Sequence, residues 1–206
     1  FPKGKQWGTF PGVSAGWRIS KEAFFENNVA FINELKLKAS WGKLGNDKIS
    51  AYQYLLQFNP DAGYYFGSGS DRVPGLSLGV VPNPNVTWEV ADTKNIGIES
   101  SFWNGLFNLN ADYFISKRSN ILLPRNASIP TSTGLNSSNL PDENIGRVNN
   151  KGYELATSHQ QAVNKNFSYN IGFNFTHAKN EVVYMDEAAN IAEWQKIQGH
   201  PMDSWL

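Results

Sequence analysis

Apolar and polar residues alternate with a period of two over several stretches of this chain, as expected for β-strands whose two faces meet different surroundings. From Leu106 to Ser116, the residues Phe107, Leu109, Ala111, Tyr113 and Ile115 fall on one face and Asn108, Asn110 and Asp112 on the other. From Phe167 to His177, aromatic and aliphatic side chains oppose Ser168, Asn170, Gly172, Asn174 and Thr176 in the same way. Leu35, Leu37, Ala39 and Trp41 alternate with Glu34, Lys36, Lys38 and Ser40, and Ile96, Ile98 and Phe102 alternate with Asn95, Gly97, Glu99 and Ser101. Shorter runs, Val13 to Ile19 and Tyr153 to Leu155, complete six predicted strands, and a seventh is predicted through 49–58. The clearest are about ten residues long, the length needed to cross a bilayer at a tilt and longer than the usual strand of about five or six.

The connections are of two kinds. Asn104-Gly105 is a two-residue hairpin signal between Trp103 and Leu106, and Asn164-Lys165-Asn166 predicts a second tight turn. Residues 43–93 and 117–147 are long, the second rich in Ser, Asn, Pro and Thr, and Gly67-Ser68-Gly69-Ser70 within the first reads as a flexible loop. Residues 20–32 predict a short helix capped by Ser20 on the side of the tight turns. Short turns at one end and long loops at the other are the pattern of an up-and-down transmembrane β-barrel.

Composition sharpens this choice. Charged residues make up only 17% of the chain and aromatics 14%, so a large apolar surface must receive those rings. No apolar run of about 18 residues exists to form a spanning helix. The mean hydropathy is nevertheless negative, which suits a barrel wall in which only alternate residues meet lipid. Lys+Arg and Asp+Glu are equal at 18 each, which argues against nucleic acid as a partner. The absence of cysteine excludes disulfides and thiolate chemistry.

Motifs for catalysis are weak. His159, His177 and His200 lack a metal-ligand spacing, and no Gly-x-Ser-x-Gly elbow occurs. The adjacent Asp142-Glu143 reads as solvated loop charge rather than a general acid/base pair. Neither a cofactor nor enzymatic activity is expected.

Several segments then point to one family. They are Phe10-Pro11-Gly12-Val13-Ser14-Ala15-Gly16-Trp17-Arg18-Ile19-Ser20, Asn33 to Asp47 (NELKLKASWGKLGND), Asn83-Pro84-Asn85-Val86-Thr87-Trp88-Glu89, Asn95 to Glu99, Gly146 to Leu155 (GRVNNKGYEL) and Gly199-His200-Pro201-Met202. In order and spacing the chain resembles the SusC/RagA family of TonB-dependent outer-membrane transporters along nearly its whole length. The resemblance implies an all-β, antiparallel fold, here part of a 22-stranded barrel that encloses a plug domain. All of residues 1–206 are then barrel wall, without the plug or the TonB-contacting box. The opening residues Phe1 to Lys5 lack a signal-peptide layout, so a piece of a longer chain is expected.

The resemblance also implies a location, the outer membrane of a Gram-negative bacterium of the Bacteroidetes type. The implied partners are a surface lipoprotein of the SusD type, the TonB complex, the chain's own plug and outer-membrane lipid. The implied cargo is oligosaccharide, or peptide in some members. In such a barrel Glu34, Lys36, Lys38, Glu99, Asp112 and Glu154 should face the lumen. Trp17, Trp41, Phe102, Trp103 and Tyr113, near strand ends, should sit at the headgroup level. On the long loops, Tyr52, Tyr54, Tyr64, Tyr65 and Phe66 could stack on sugars, pack against the lipoprotein, or pack the loop itself. The rival from another class is a soluble secreted β-sandwich that binds carbohydrate or acts as an adhesin.

Overall fold

Six long strands pair in sequence order into one antiparallel sheet. The computed structural model describes residues 1–60, 63–67, 71–125, 127–134 and 137–202. Its elements are β1 (Gly12–Arg18), a one-turn helix α1 (Ala23–Glu26), β2 (Ile32–Asn46), and four two-residue strands, β3 (Phe58–Asn59), β4 (Tyr64–Tyr65), β5 (Arg72–Val73) and β6 (Ser77–Leu78). They are followed by β7 (Glu89–Phe102), β8 (Phe107–Pro124), β9 (Asp142–Asn164) and β10 (Phe167–Tyr184). The large sheet runs β1-β2-β7-β8-β9-β10, and every neighbouring pair is antiparallel. A sandwich would need a second sheet packed on this one. Among the described residues only the small pairs β3–β6 and β4–β5 accompany it, both within the connection from β2 to β7.

The register joins the alternating positions into continuous rows. Trp17, Leu37, Ile98, Ala111, Leu155 and Phe175 are successive partners across all six strands and form one apolar row. Ala15, Ala39, Ile96, Tyr113, Tyr153 and His177 form the next. These side chains are not packed away: Ile96 is 61% exposed, Trp17 51% and Tyr153 46%. Only Val86 and Val182 are buried apolar residues among those described. The sheet therefore has no water-excluding core of its own and presents a wide apolar face outward.

The strands outrun the alternation that predicts them. β8 continues to Pro124, β9 begins at Asp142, and β2 and β7 reach Asn46 and Glu89. Their additional outward positions carry Lys43, Asp92, Lys117, Asn149 and Glu181, so both faces are polar there and the hydrophobic pattern disappears while pairing persists. Asp142-Glu143 accordingly begins a strand rather than lying in a loop, and Glu143 pairs with Arg125 at 3.2 Å. Bulges interrupt β8 after Arg118, where Asn120 has φ 58°, and β10 after Val182, adding twist near the long-loop end.

Other expectations change locally. Residues 49–58 are not a seventh wall strand: Tyr52 adopts φ 60°, and Leu55 N–H donates to the Tyr52 carbonyl, closing a turn. Ser20 does not cap the helix. It lies buried within a 3-10 turn (Ile19–Lys21), and extended Glu22 precedes the single turn of α1 instead. The connection must return directly to the adjacent β2, which leaves room for no more than one turn. The first hairpin turn is wider than two residues, because Phe102 pairs with Phe107. Trp103, Asn104 and Gly105 all have positive φ (49°, 55° and 84°), giving two overlapping left-handed turns that only a glycine enters without strain at its end. Asn164 and Phe167 do pair around Lys165-Asn166, and the Asn164 side chain accepts from Asn166 N–H at 2.9 Å. In the Gly67–Ser70 loop, Gly67 has φ 70° and Ser68 to Ser70 lie outside the described residues.

Connections alternate by end. Residues 19–31, 103–106 and 165–166 lie at one end, and 47–88 and 125–141 at the other. The long connection is tied down where it rejoins the wall. Asn144 Nδ2 donates to the carbonyls of Thr87 (2.9 Å) and Asn120 (2.8 Å), and Asn144 Oδ1 accepts from Thr87 N–H. Asn83 donates to the Asp142 carbonyl at 2.7 Å, Val86 is fully buried, and Trp88 stacks on Phe1 with centroids 5.0 Å apart.

At about 1 kcal/mol per hydrogen bond, removing the three Asn144 contacts costs roughly 3 kcal/mol of local stability. Asn144→Ala in the full-length protein should raise limited proteolysis within residues 47–88 by about a hundredfold. Unchanged cleavage would show that Asn144 does not anchor this connection.

Candidate functional site

Alternation places Glu34, Lys36, Lys38, Glu99, Asp112 and Glu154 on the face opposite the apolar rows, and the register brings them together. Lys36 is opposite Glu99, and Lys38, Gly97, Asp112 and Glu154 are successive partners across four strands. Lys36 Nζ lies 3.1 Å from Glu99 Oε2. Lys38 Nζ has three acceptors, Glu99 Oε1 at 3.1 Å, Asn110 Oδ1 at 3.1 Å and Asp112 Oδ2 at 3.0 Å, which matches the three donors of an ammonium group.

The Lys38–Asp112 pair spans β7, two inter-strand spacings of about 4.8 Å. It can do so because Gly97 lies between them: a Cβ there would stand 2.3 Å from Asp112 Oδ1 and 2.5 Å from Lys38 Cε. Arg18 extends the chain of charges by pairing with Glu34 at 3.1 Å, a partner that the alternation of β1 alone does not reveal. Glu154 faces the same side directly opposite Asp112 and has no ion pair among the described residues. An open groove of about 610 Å³ lies on this face, bounded by Glu34, Glu99, Asn108, Asn110 and Asn174. Its chemistry is that of a hydrated polar wall with fixed charges. Among the described residues no three His, Asp or Glu side chains are grouped to hold a metal ion.

The five ring residues expected at strand ends divide into two groups. Phe102 and Trp103 sit at the short-turn end with Phe31 and Phe107, whose rings approach them at centroid distances of 5.8 to 6.5 Å. Asn33 fixes this turn through bonds in both directions with Asn104, and Trp103 N–H donates to the Phe31 carbonyl. Phe31 and Phe107 belong to this cluster as much as the two residues singled out, and their closeness to the Asn-Gly turn is the signal. Trp17 is next to the end of β1, and its Nε1 donates to Glu22 at 2.9 Å. Tyr113 and Trp41 are not near strand ends, since β8 and β2 continue past them to Pro124 and Asn46. They stand where the apolar rows stop. Trp41 Nε1 donates there to Asp92 at 3.1 Å, and Tyr153 and His177 share the row of Tyr113.

The loop aromatics are only partly assembled. Tyr64 and Phe66 are in contact at 5.4 Å on the β4–β5 hairpin, and with Tyr65 they are exposed by 58 to 70%. Tyr52 instead lines a separate cleft of about 350 Å³ with Leu55, Val80 and Leu140. Tyr54 is half-buried and joins neither group. A further tie joins the β8–β9 connection to the segment after β10: the backbone N–H groups of Ala127 and Ser128 donate to Asp186 Oδ2 at 2.9 and 3.2 Å. Burial disfavours the charged form of Asp186. The bonds from Ser128 and Ala127, with Arg125 nearby, outweigh it and hold the carboxyl below the ordinary value of 3.8.

The family model described as TonB dependent receptor-like, β-barrel, matches residues 1–204. TonB-dependent receptor P39 of Formosa agariphila is 32% identical over 183 residues, which cover 89% of this chain and 16% of that protein. TonB-dependent receptor SusC of Bacteroides thetaiotaomicron is 32% identical over 186 residues, covering 88% of this chain and 18% of its own length. The chain thus spans less than a fifth of these relatives. The structure of the RagAB peptide transporter superposes with a TM-score of 0.73 at 21% identity, over 93% of this chain and 20% of that one. The RagAB peptide importer in its open-open state gives 0.69 at 23% identity, over 85% and 18%.

Asp112→Asn should cost about 1 kcal/mol in the full-length protein, read as the thermal midpoint of its heat-modifiable gel mobility. In a Gly97→Val background, where the side chain separates the pair, the same change should cost nothing further, and an equal cost in both backgrounds would refute the crossing pair. For Asp186, a folded pKa below the unfolded one means that its contribution is present above the unfolded value and is lost as pH falls through the folded one. The protection of the Ala127 and Ser128 amides against hydrogen exchange, taken relative to the intrinsic rate at each pH, should therefore be high at neutral pH and be lost only below about pH 4. In Asp186→Asn the protection should be low throughout.

Proposed function

Because the chain belongs to the TonB-dependent receptor-like β-barrel family, we propose that it is a segment of the wall of an outer-membrane transporter that imports nutrients with energy supplied through TonB. The observation that carries this reading is the two-faced sheet: long antiparallel strands with exposed apolar rows on one side, a charged wall on the other, and connections that alternate between short and long. The outward rows would face lipid, where alternate apolar residues suffice and every backbone polar group is paired within the sheet. A soluble sandwich would leave these rows without a partner layer, a large exposed patch that water does not tolerate well.

In the proposed assembly the wall of Lys36, Lys38, Glu99, Asp112 and Glu154 faces a lumen occupied by a plug. The long connections open outward, where a surface lipoprotein of the SusD type would enclose cargo before TonB displaces the plug. The rings of Phe102 and Trp103 would then mark the periplasmic headgroup level, and Trp41 and Tyr113 the outer one, in the membrane of a Bacteroidetes-type bacterium. Oligosaccharide is the proposed cargo. The exposed faces of Tyr64, Tyr65 and Phe66 suit the flat C–H surface of a pyranose ring, and as exposed rings they lose little by ordering. A peptide cargo is the second reading, favoured by the RagAB likeness, which is one of fold alone at this identity.

Fractionation of the full-length protein from its native cell, with gel mobility before and after boiling, tests the assembly. Outer-membrane material that shifts on boiling is expected. A soluble product without a shift would refute the reading. With Tyr64, Tyr65 and Phe66 changed together to Ala, and at about 1 kcal/mol per ring, oligosaccharide uptake should need roughly a hundredfold more substrate while the shift is retained. Undiminished oligosaccharide uptake would remove these rings from the site.

A further inference from the structure

Where the apolar rows end on the outward face, lysine replaces them. The register row that follows Tyr113 reads Val13, Trp41, Lys94, Ile115, Lys151 and Lys179, with three lysines and no carboxylate. The row beyond it adds Lys43 and Lys117, beside Asp92 and Glu181. Lys94, Lys117, Lys151 and Lys179 thus stand on four adjacent strands, all exposed and with no ion pair among the described residues. Lys151 and Lys179 are directly opposed. Like charges at opposed positions repel across about 5 Å, so the sheet places them together at a cost unless an anion lies between them.

We propose that this lysine belt binds phosphate groups carried by the lipids of the outer leaflet. The inference rests on the outer-membrane reading above. Three features choose a lipid phosphate over an acidic protein. The lysines follow one level across successive strands instead of forming a compact patch. They begin one row beyond the apolar rows, at the height of the headgroups that the proposed membrane would put there. Their carbon stems can lie along Ile115, Tyr113 and Tyr153 while the ammonium groups reach upward, as cationic side chains do at a membrane surface. Trp41 completes the interfacial character, with its ring in the belt and its N–H on Asp92.

The test uses the full-length receptor in phosphatidylcholine nanodiscs doped with lipid A, either phosphorylated or enzymatically dephosphorylated, and compares wild type with Lys94→Gln/Lys151→Gln/Lys179→Gln. The wild type should prefer the phosphorylated lipid, and increasingly so as salt is lowered. Each lysine should contribute roughly fivefold, so the triple variant should bind about a hundredfold more weakly, and Lys179→Gln alone roughly fivefold more weakly. Equal binding of the two lipids by the wild type would overturn the proposal. So would displacement of the lipid by inorganic phosphate at equal concentration, or a triple variant that keeps its lipid and loses a co-purifying protein. Heat-modifiable mobility of the same samples separates the two claims. A wild type that is closed and membrane-bound but indifferent to phosphate removes the belt alone, whereas one that never enters the outer membrane removes the transporter reading as well.

Discussion

The cross-strand ladder of backbone hydrogen bonds is the interaction on which this structure depends. With Val86 and Val182 the only buried apolar residues among those described, burial of side chains within the chain cannot organise the sheet. What organises it is pairing along β2 and β7 to β10, each strand at least 14 residues long and antiparallel to its neighbours. In the hydrocarbon region that the proposed membrane would put around such a wall, an unpaired backbone group costs several kcal/mol, so the ladder would be obligatory there. Side chains are then free to suit their surroundings, and the two faces diverge completely.

That divergence makes the register consequential. A slip of one residue between β7 and β8 would turn Tyr113 and Ala111 onto the charged face and Asp112 onto the apolar one, and would separate Lys38 from Asn110 and Asp112, two of its three acceptors. The crossing Lys38–Asp112 pair therefore does more than solvate a wall. It requires a particular alignment of three strands and a residue without a side chain, Gly97, in the middle one. At the opposite end, the reciprocal bonds of Asn33 and Asn104 fix the same β2–β7 alignment. Charge on one face and polar bonds at the turn thus select one alignment among those that the alternating pattern would permit.

Toward the long-loop end the control passes from pattern to individual side chains. Asn83, Asn144 and Asp186 each hold a loop by bonds to backbone groups, and the bulges in β8 and β10 add twist where the strands leave the apolar rows. Such contacts fasten the bases of the loops and leave the β4–β5 hairpin, with Tyr64 and Phe66, projecting into solvent. An anchored base lets the exposed tip of the hairpin move without unravelling the wall, as the proposed role of its rings would require.

The sequence by itself determined the strand identity of all six wall elements, the face on which Glu34, Lys36, Lys38, Glu99, Asp112 and Glu154 stand, and the alternation of short and long connections. Period two is a local property, so each stretch declares it without reference to its neighbours. Strand length was legible only as far as the alternation ran, because Lys43, Lys117 and Glu181 made the outward face polar and erased the contrast while the ladder continued. Which charges meet was decided by the tertiary structure alone. Arg18 finds Glu34, Lys38 reaches over Gly97 to Asp112, and Lys151 is set against Lys179, because pairing distances arise between strands far apart in sequence. The loop aromatics show the same limit. Five rings close in sequence parted into a hairpin, a cleft and a half-buried site, since no period links residues whose positions are set by turns and by single side-chain bonds.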